Sequence, residues 1–145
     1  TINLAKPAAK ALVGLLILVM LPLPVSSVWR VMLEFTPIEL RVEDSMLIGD
    51  HIREDISIPL HSIKDVELLP ERPKMSKHSG VGMETVCKGS FRLKEDKSYC
   101  QIFLDPRNDL CLRVETSMEV YYLGGFDDEQ TRRVYEAIQI NSVDK

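Results

Sequence analysis

Ile38-Glu39-Leu40-Arg41-Val42-Glu43-Asp44-Ser45-Met46-Leu47-Ile48-Gly49-Asp50 is the stretch on which the fold turns. Apolar Ile38, Leu40 and Val42 alternate with charged Glu39, Arg41 and Glu43. That period of two gives a strand with one buried and one wet face. Asp44 and Ser45 make a short turn, and Met46-Leu47-Ile48 reads as the return strand, ended by Gly49-Asp50. So tight a connection implies an antiparallel hairpin.

Reading towards the carboxyl end, Ile56 and Ile58 continue the meander, Pro59-Leu60-His61-Ser62 is a turn, and Lys64–Leu69 follows as a strand with Val66 and Leu68 on one face. Pro70 to Lys88 is the longest break; with Pro70, Pro73, Gly80 and Gly82 it is expected to be a loop without a regular element. Long loops in compact domains are usually functional or mobile, which makes it the first place to look for a site. Gly89–Leu93 and Tyr99–Leu104 form the next hairpin, turned by the charged run Lys94–Lys97. Asp105-Pro106-Arg107-Asn108 is a turn. Leu110, Leu112 and Val114 then alternate with Cys111, Arg113 and Glu115, and Glu119–Leu123 is the last strand before Gly124-Gly125.

There the period changes. Asp127 or Asp128 caps a helix, with Thr131, Val134, Ala137 and Ile138 inward and Arg132, Arg133 and Glu136 outward. The expected fold is mainly β with one closing helix: an antiparallel roll or partly open barrel of seven or eight strands plus a carboxyl-terminal α-helix.

Reading towards the amino end, Ala11–Trp29 is an uncharged run of 19 residues behind a short flank, 1–10, that carries Lys6 and Lys10. At 1.5 Å per helical residue such a run spans roughly 28 Å, close to the hydrocarbon thickness of a bilayer. Two readings stand. As a single-pass anchor, residues 11–29 cross the cell membrane with Trp29 and Arg30 at the interface. As a secretory signal, Pro22-Leu23-Pro24 breaks the apolar stretch and Val25-Ser26-Ser27 supplies a cleavage site near Ser27, which would release the rest. Lys6 and Lys10 against Arg30 and Arg41 do not fix the orientation. The remaining parts are a β domain, 30–141, and a tail, 142–145.

Charge narrows the partners. Residues 1–36 hold three basic side chains and one acidic, which leaves 15 basic and 21 acidic beyond them. So acidic a domain gains nothing from phosphate backbones, and nucleic-acid binding is not expected. Cys87, Cys100 and Cys111 are spaced 13 and 11 apart with no CxxC pair, and read as buried or half-buried thiols on strands. His51, His61 and His78 fall at no ligand-like spacing to them, so no metal is expected.

The order of parts, with Phe35-Thr36-Pro37 entering Ile38–Val42, then Ile58–Ile63 leading to Val66-Glu67-Leu68, Gly80-x-Gly82, Lys88-Gly89-x-Phe91 and a closing Asp128–Ile138 helix with Tyr135, resembles the membrane-anchored branch of the bacterial pleckstrin-homology domain family. The resemblance covers about residues 30–140 and implies a PH-like roll preceded by a transmembrane helix. Lipid-binding members carry Lys and Arg at the first hairpin, whereas this chain has Glu43-Asp44-Ser45. Phosphoinositide binding is therefore disfavoured.

No GxSxG, HExxH or cysteine-adjacent basic signature occurs, so an enzyme is not expected, nor a cofactor. The expected function is a non-enzymatic, membrane-tethered module mediating protein–protein or self-association, with Phe103, Tyr121 and Tyr122 as interaction residues beside Tyr99. The alternative is a sensor of a small anion or lipid headgroup through the 70–88 segment, using Lys74, Lys77, His78, Gly80, Gly82 and Lys88.

Overall fold

A computed structural model of the chain describes residues 7–52 and 54–143, without the side chains of 54, 55, 142 and 143. Lys6 of the flank, and residues 144 and 145 of the tail, lie outside the described residues. The chain divides into two units, Thr1–Phe35 and Thr36–Lys145.

The first unit is helical beyond the expected bounds: α1 is Pro7–Met20 and α2 is Pro22–Phe35. Their junction is at Leu21, whose N–H still reaches the Ile17 carbonyl at 2.9 Å. The proline rings of Pro22 and Pro24 clash with the carbonyls four residues earlier, which bends the helix there without ending it. Together the two form a 29-residue apolar helical stretch, long enough to cross a membrane and unburied within the structure. A signal sequence passes the same test. Val25–Ser27 is helical, and the Ser26 and Ser27 hydroxyls both donate to the Leu23 carbonyl at 2.9 Å. Those bonds satisfy the hydroxyls within the helix, as hydrocarbon surroundings require. Thr36 precedes Pro37, and a residue in that position is driven out of helical geometry, so α2 stops at Phe35.

The second unit opens with β1 (Glu39–Glu43), β2 (Met46–Asp50) and β3 (Glu54–Pro59), an antiparallel three-stranded sheet. Glu43 pairs with Met46, so Asp44 and Ser45 alone make the turn, both at positive φ (50° and 61°). That is a two-residue hairpin turn whose twist matches the strands it joins. A 3₁₀ turn, Leu60–Ser62, leads to β4 (Ile63–Leu69). Then come β5 (Met75–Gly82), β6 (Cys87–Leu93), β7 (Tyr99–Leu104), β8 (Cys111–Thr116) and β9 (Val120–Leu123), in the spatial order β4-β8-β9-β7-β6-β5.

Among the described residues nine strands replace the expected seven or eight, and the larger sheet is not wholly antiparallel. The hairpin β8–β9 folds back so that β9 lies between β8 and β7, parallel to β7. The expected loop also holds β5, antiparallel to β6. Two glycines permit that pairing: Gly80 and Gly89 face each other at φ +111° and +122°, and a Cβ on either would lie 2.8 Å from the other's Cα.

The central strands of the six-stranded sheet are buried on both faces. On one face Phe103, Leu112, Val114 and Leu123 pack against Leu40, Leu47 and Ile58 of the smaller sheet and Val134 and Ile138 of α3 (Asp128–Val143). On the other lie Cys87, Phe91, Cys100, Ile102, Leu104, Cys111 and Tyr122. Chain connectivity accounts for the second cluster. β4 and β5 are opposite edges of the sheet, joined only by Pro70–Lys74. Six flat strands would hold them about 24 Å apart, whereas that connection spans at most about 20 Å. The sheet must therefore curl, and the crossover passes over the inside of the curl, where Arg72 meets Cys87.

α3 is fixed at its start by polar contacts. Asp127 Oδ1 accepts the Gln130 N–H at 2.6 Å, an N-cap, and Asp128 Oδ1 accepts the Leu110 N–H at 3.0 Å. The Gln130 side-chain oxygen accepts the Phe126 N–H at 3.0 Å and the Leu40 N–H at 3.2 Å, so it ties the helix to the outer edge of β1.

All three cysteines are free and buried. Burial pushes the Cys100 and Cys111 thiols from 9.0 up to about 11. Between those values the folded chain keeps protons that the unfolded chain releases. Stability is thus full below about pH 9 and falls as the pH rises to about 11. Burial also raises Tyr121 and Tyr122, which adds to the alkaline loss. Urea unfolding across pH 8–11 is expected to show a shallower decline in Cys100→Ala/Cys111→Ala than in the parent; equal slopes would exclude the thiols as the cause.

Candidate functional site

β3 is an edge of the small sheet and β5 an edge of the large one. Neither has a strand on its outer side, and between them the inner face of the large sheet extends past the cover of the small one. The result is a groove of about 480 Å³. One wall is Ile56, Ser57 and Ile58 of β3. The floor is Val81, Gln101, Phe103 and Tyr121, with Lys88 and Glu119 also lining it.

Strand register explains why these side chains meet. Val81 pairs with Lys88 and Lys88 with Phe103, which sets one row across three strands. Ser90 pairs with Gln101 and Gln101 with Tyr121, which sets the row beside it. Gly80 and Gly89 bring backbone, not side chains, to the same groove. Burial first, then the neighbouring Glu119 carboxylate, raises the Tyr121 phenol. An apolar floor with a few polar groups at its margin fits a binding groove.

The residues read from sequence fall in several places. Gly80, Lys88, Phe103 and Tyr121 come together here. Phe103 and Tyr122 are 0% and 5% exposed and fill the two clusters, Phe103 also underlying the groove. Tyr122 is held on the far face because β9 is a central strand. Lys77 pairs with Phe91 on that far side, and Gly82 lies beside the Lys77 stem. His78 stands at a register shift in β5, its ring 5.0 Å from that of exposed Tyr99. Lys74 belongs to the crossover. The basic residues of 70–88 thus divide between the crossover and the two faces of the sheet, and are not all gathered in one place.

Ile56, Ser57, Val81, Gln101 and Glu119 were not singled out from sequence. Their convergence depends on β3 crossing above β5–β7, a long-range placement that no local pattern carries. Among the described residues no group of three or more His, Cys, Asp or Glu is placed to hold a metal ion. Comparison with protein-family models, with curated proteins and with solved structures found no match.

Proposed function

We propose that this chain is a single-pass membrane protein whose β domain binds a protein segment in extended form, added as a strand along the open edge of β3. The observation that carries the reading is the groove: an unpaired strand edge standing over an apolar floor of Val81, Phe103 and Tyr121. Strand addition takes affinity from main-chain hydrogen bonds and specificity from alternate side chains entering such a floor. The other exposed partners of a sheet are managed here, since Gln130 occupies part of the β1 edge and α3 packs beside β4.

The apolar helix supplies the address. Only residues 36–38 stand between α2 and β1, a tether of about 10 Å when extended. Partners therefore meet the domain near the bilayer. The likeness to membrane-anchored bacterial pleckstrin-homology domains supports the order of parts, namely apolar helix, strands and closing helix. The strand order β4-β8-β9-β7-β6-β5 gives it no further support, and no lipid specificity is carried over.

A photo-crosslinking residue at exposed Ser57 of the full chain, activated in native membranes, tests this reading. A discrete protein adduct, to another protein or to a second copy, is expected there and not from the same residue at Arg132 on the outer face of α3. Equal labelling at the two positions would remove the support for a docking edge.

A further inference from the structure

The face of the large sheet turned away from the groove carries a second hollow, of about 400 Å³, beneath the crossover from β4 to β5. Its inner end is closed by half-buried Met75 and by the edges of Phe91 and Ile102, which are 7% and 1% exposed. Arg72, Lys74 and Lys94 line the same hollow and are exposed, with Glu71 the one acidic residue among them. Backbone geometry holds two of the cations together, since the Lys94 N–H donates to the Lys74 carbonyl at 3.0 Å.

Three like charges around one small opening repel one another, and one carboxylate offsets only part of that. The Arg72 guanidinium lies 4.0 Å from the Cys87 sulfur and makes no ion pair among the described residues. Its charge reaches as far as Cys111, inside the second cluster. An exposed cation usually turns to solvent or to a carboxylate. This one is turned over a hollow whose deeper wall is hydrocarbon.

We propose that this hollow binds a single-chain anionic amphiphile. Its carboxylate or phosphate head is held by Arg72, Lys74 and Lys94, and the first carbons of its chain lie against half-buried Met75 and the exposed edge of Phe91. A guanidinium presents paired donors to such a head, and the two ammonium groups add point charges. The apolar wall discriminates against small inorganic anions, which leave it unfilled. The site is separate from the β3 groove and does not depend on what occupies it.

The test uses the full chain in neutral maltoside micelles with dodecanoate bearing a diazirine near its carboxylate. Adducts are expected in 71–75, 87–94 and 102, competed by unlabelled dodecanoate and by dodecyl phosphate but not by dodecanol or inorganic phosphate. Arg72→Gln/Lys74→Gln/Lys94→Gln is expected to lower labelling about tenfold or more, the scale of one lost charge-assisted contact, with far-UV circular dichroism unchanged. Arg72→Lys should keep most of it. Adducts confined to 7–35 would overturn the site. So would equal competition by dodecanol, which would mean greasy contact only, or by inorganic phosphate, which would mean an anion site without a chain.

Discussion

Phe103→Ala is expected to destabilise the β domain by about 3–5 kcal/mol, the range for truncating a fully buried phenylalanine. The side chain is 0% exposed, sits next to the last residue of β7 and packs in the cluster between the two sheets. Its ring also explains Gly49, where a Cβ would stand 2.9 Å from the ring edge. Removing the ring therefore opens a cavity that the two sheets can close only by moving together. Set against a total of about 5–15 kcal/mol for a domain of this size, the loss leaves a protein close to unfolding at physiological temperature. Phe103→Leu, which keeps most of the volume, should cost less than half as much. Urea unfolding followed by circular dichroism is the suitable measurement, because Trp29 belongs to α2 and its fluorescence reports on the other unit. A loss below about 1 kcal/mol in Phe103→Ala would mean that the two sheets do not share this core.

Gly89→Val is expected to release β5 from the sheet. The residue holds φ +122°, a conformation that β-branched side chains do not tolerate, and the new Cβ would meet the Ser79 carbonyl oxygen at 2.5 Å. That oxygen is backbone, so no rotamer change relieves the contact. Strain alone costs about 1–3 kcal/mol, and the collision adds to it. Gly82→Ala is the control: its Cβ would find the Lys77 stem at 3.6 Å, an ordinary contact, and the change should stay within about 0.5 kcal/mol. Amide exchange over Met75–Gly82 should rise sharply in Gly89→Val and stay unchanged in Gly82→Ala. Equal behaviour in the two would show that the paired glycines are incidental to the strand.

Much of the architecture was legible because it obeys local periods. Ile38, Leu40 and Val42 alternate, Leu112 and Val114 alternate, and Thr131, Val134 and Ile138 follow a helical spacing, so those strands and α3 stand where the pattern placed them. β5 was not legible. Its residues run Met-Ser-Lys-His-Ser-Gly-Val-Gly, almost all exposed, and an edge strand that packs on little leaves no alternation to read. Nor was the parallel insertion of β9, since a strand of four residues says nothing about which neighbour it will join.

The cysteines and Tyr122 show a different limit. Alternation assigns one wet face to each strand, but the curl forced by Pro70–Lys74 buries the second face as well. The cysteines were expected to be buried or half-buried one by one, but that they join Phe91, Ile102 and Tyr122 in a second core follows from the curl, not from any strand's own pattern. The site was legible in fragments. Lys88 and Tyr121 attracted notice for charge and aromaticity, yet the groove also needs Ser57 and Gln101, which are ordinary until β3 is laid over β7.

The central claim is that the open edge of β3 and the floor beneath it form a docking groove for an extended segment. The most direct measurement is the yield of the Ser57 crosslink in native membranes with and without Val81→Arg, which puts a charged side chain on the apolar floor while β5 remains folded. The proposal predicts a discrete adduct in the parent and its near-complete loss in the variant. An adduct of undiminished yield in Val81→Arg, or none in the parent, would contradict it.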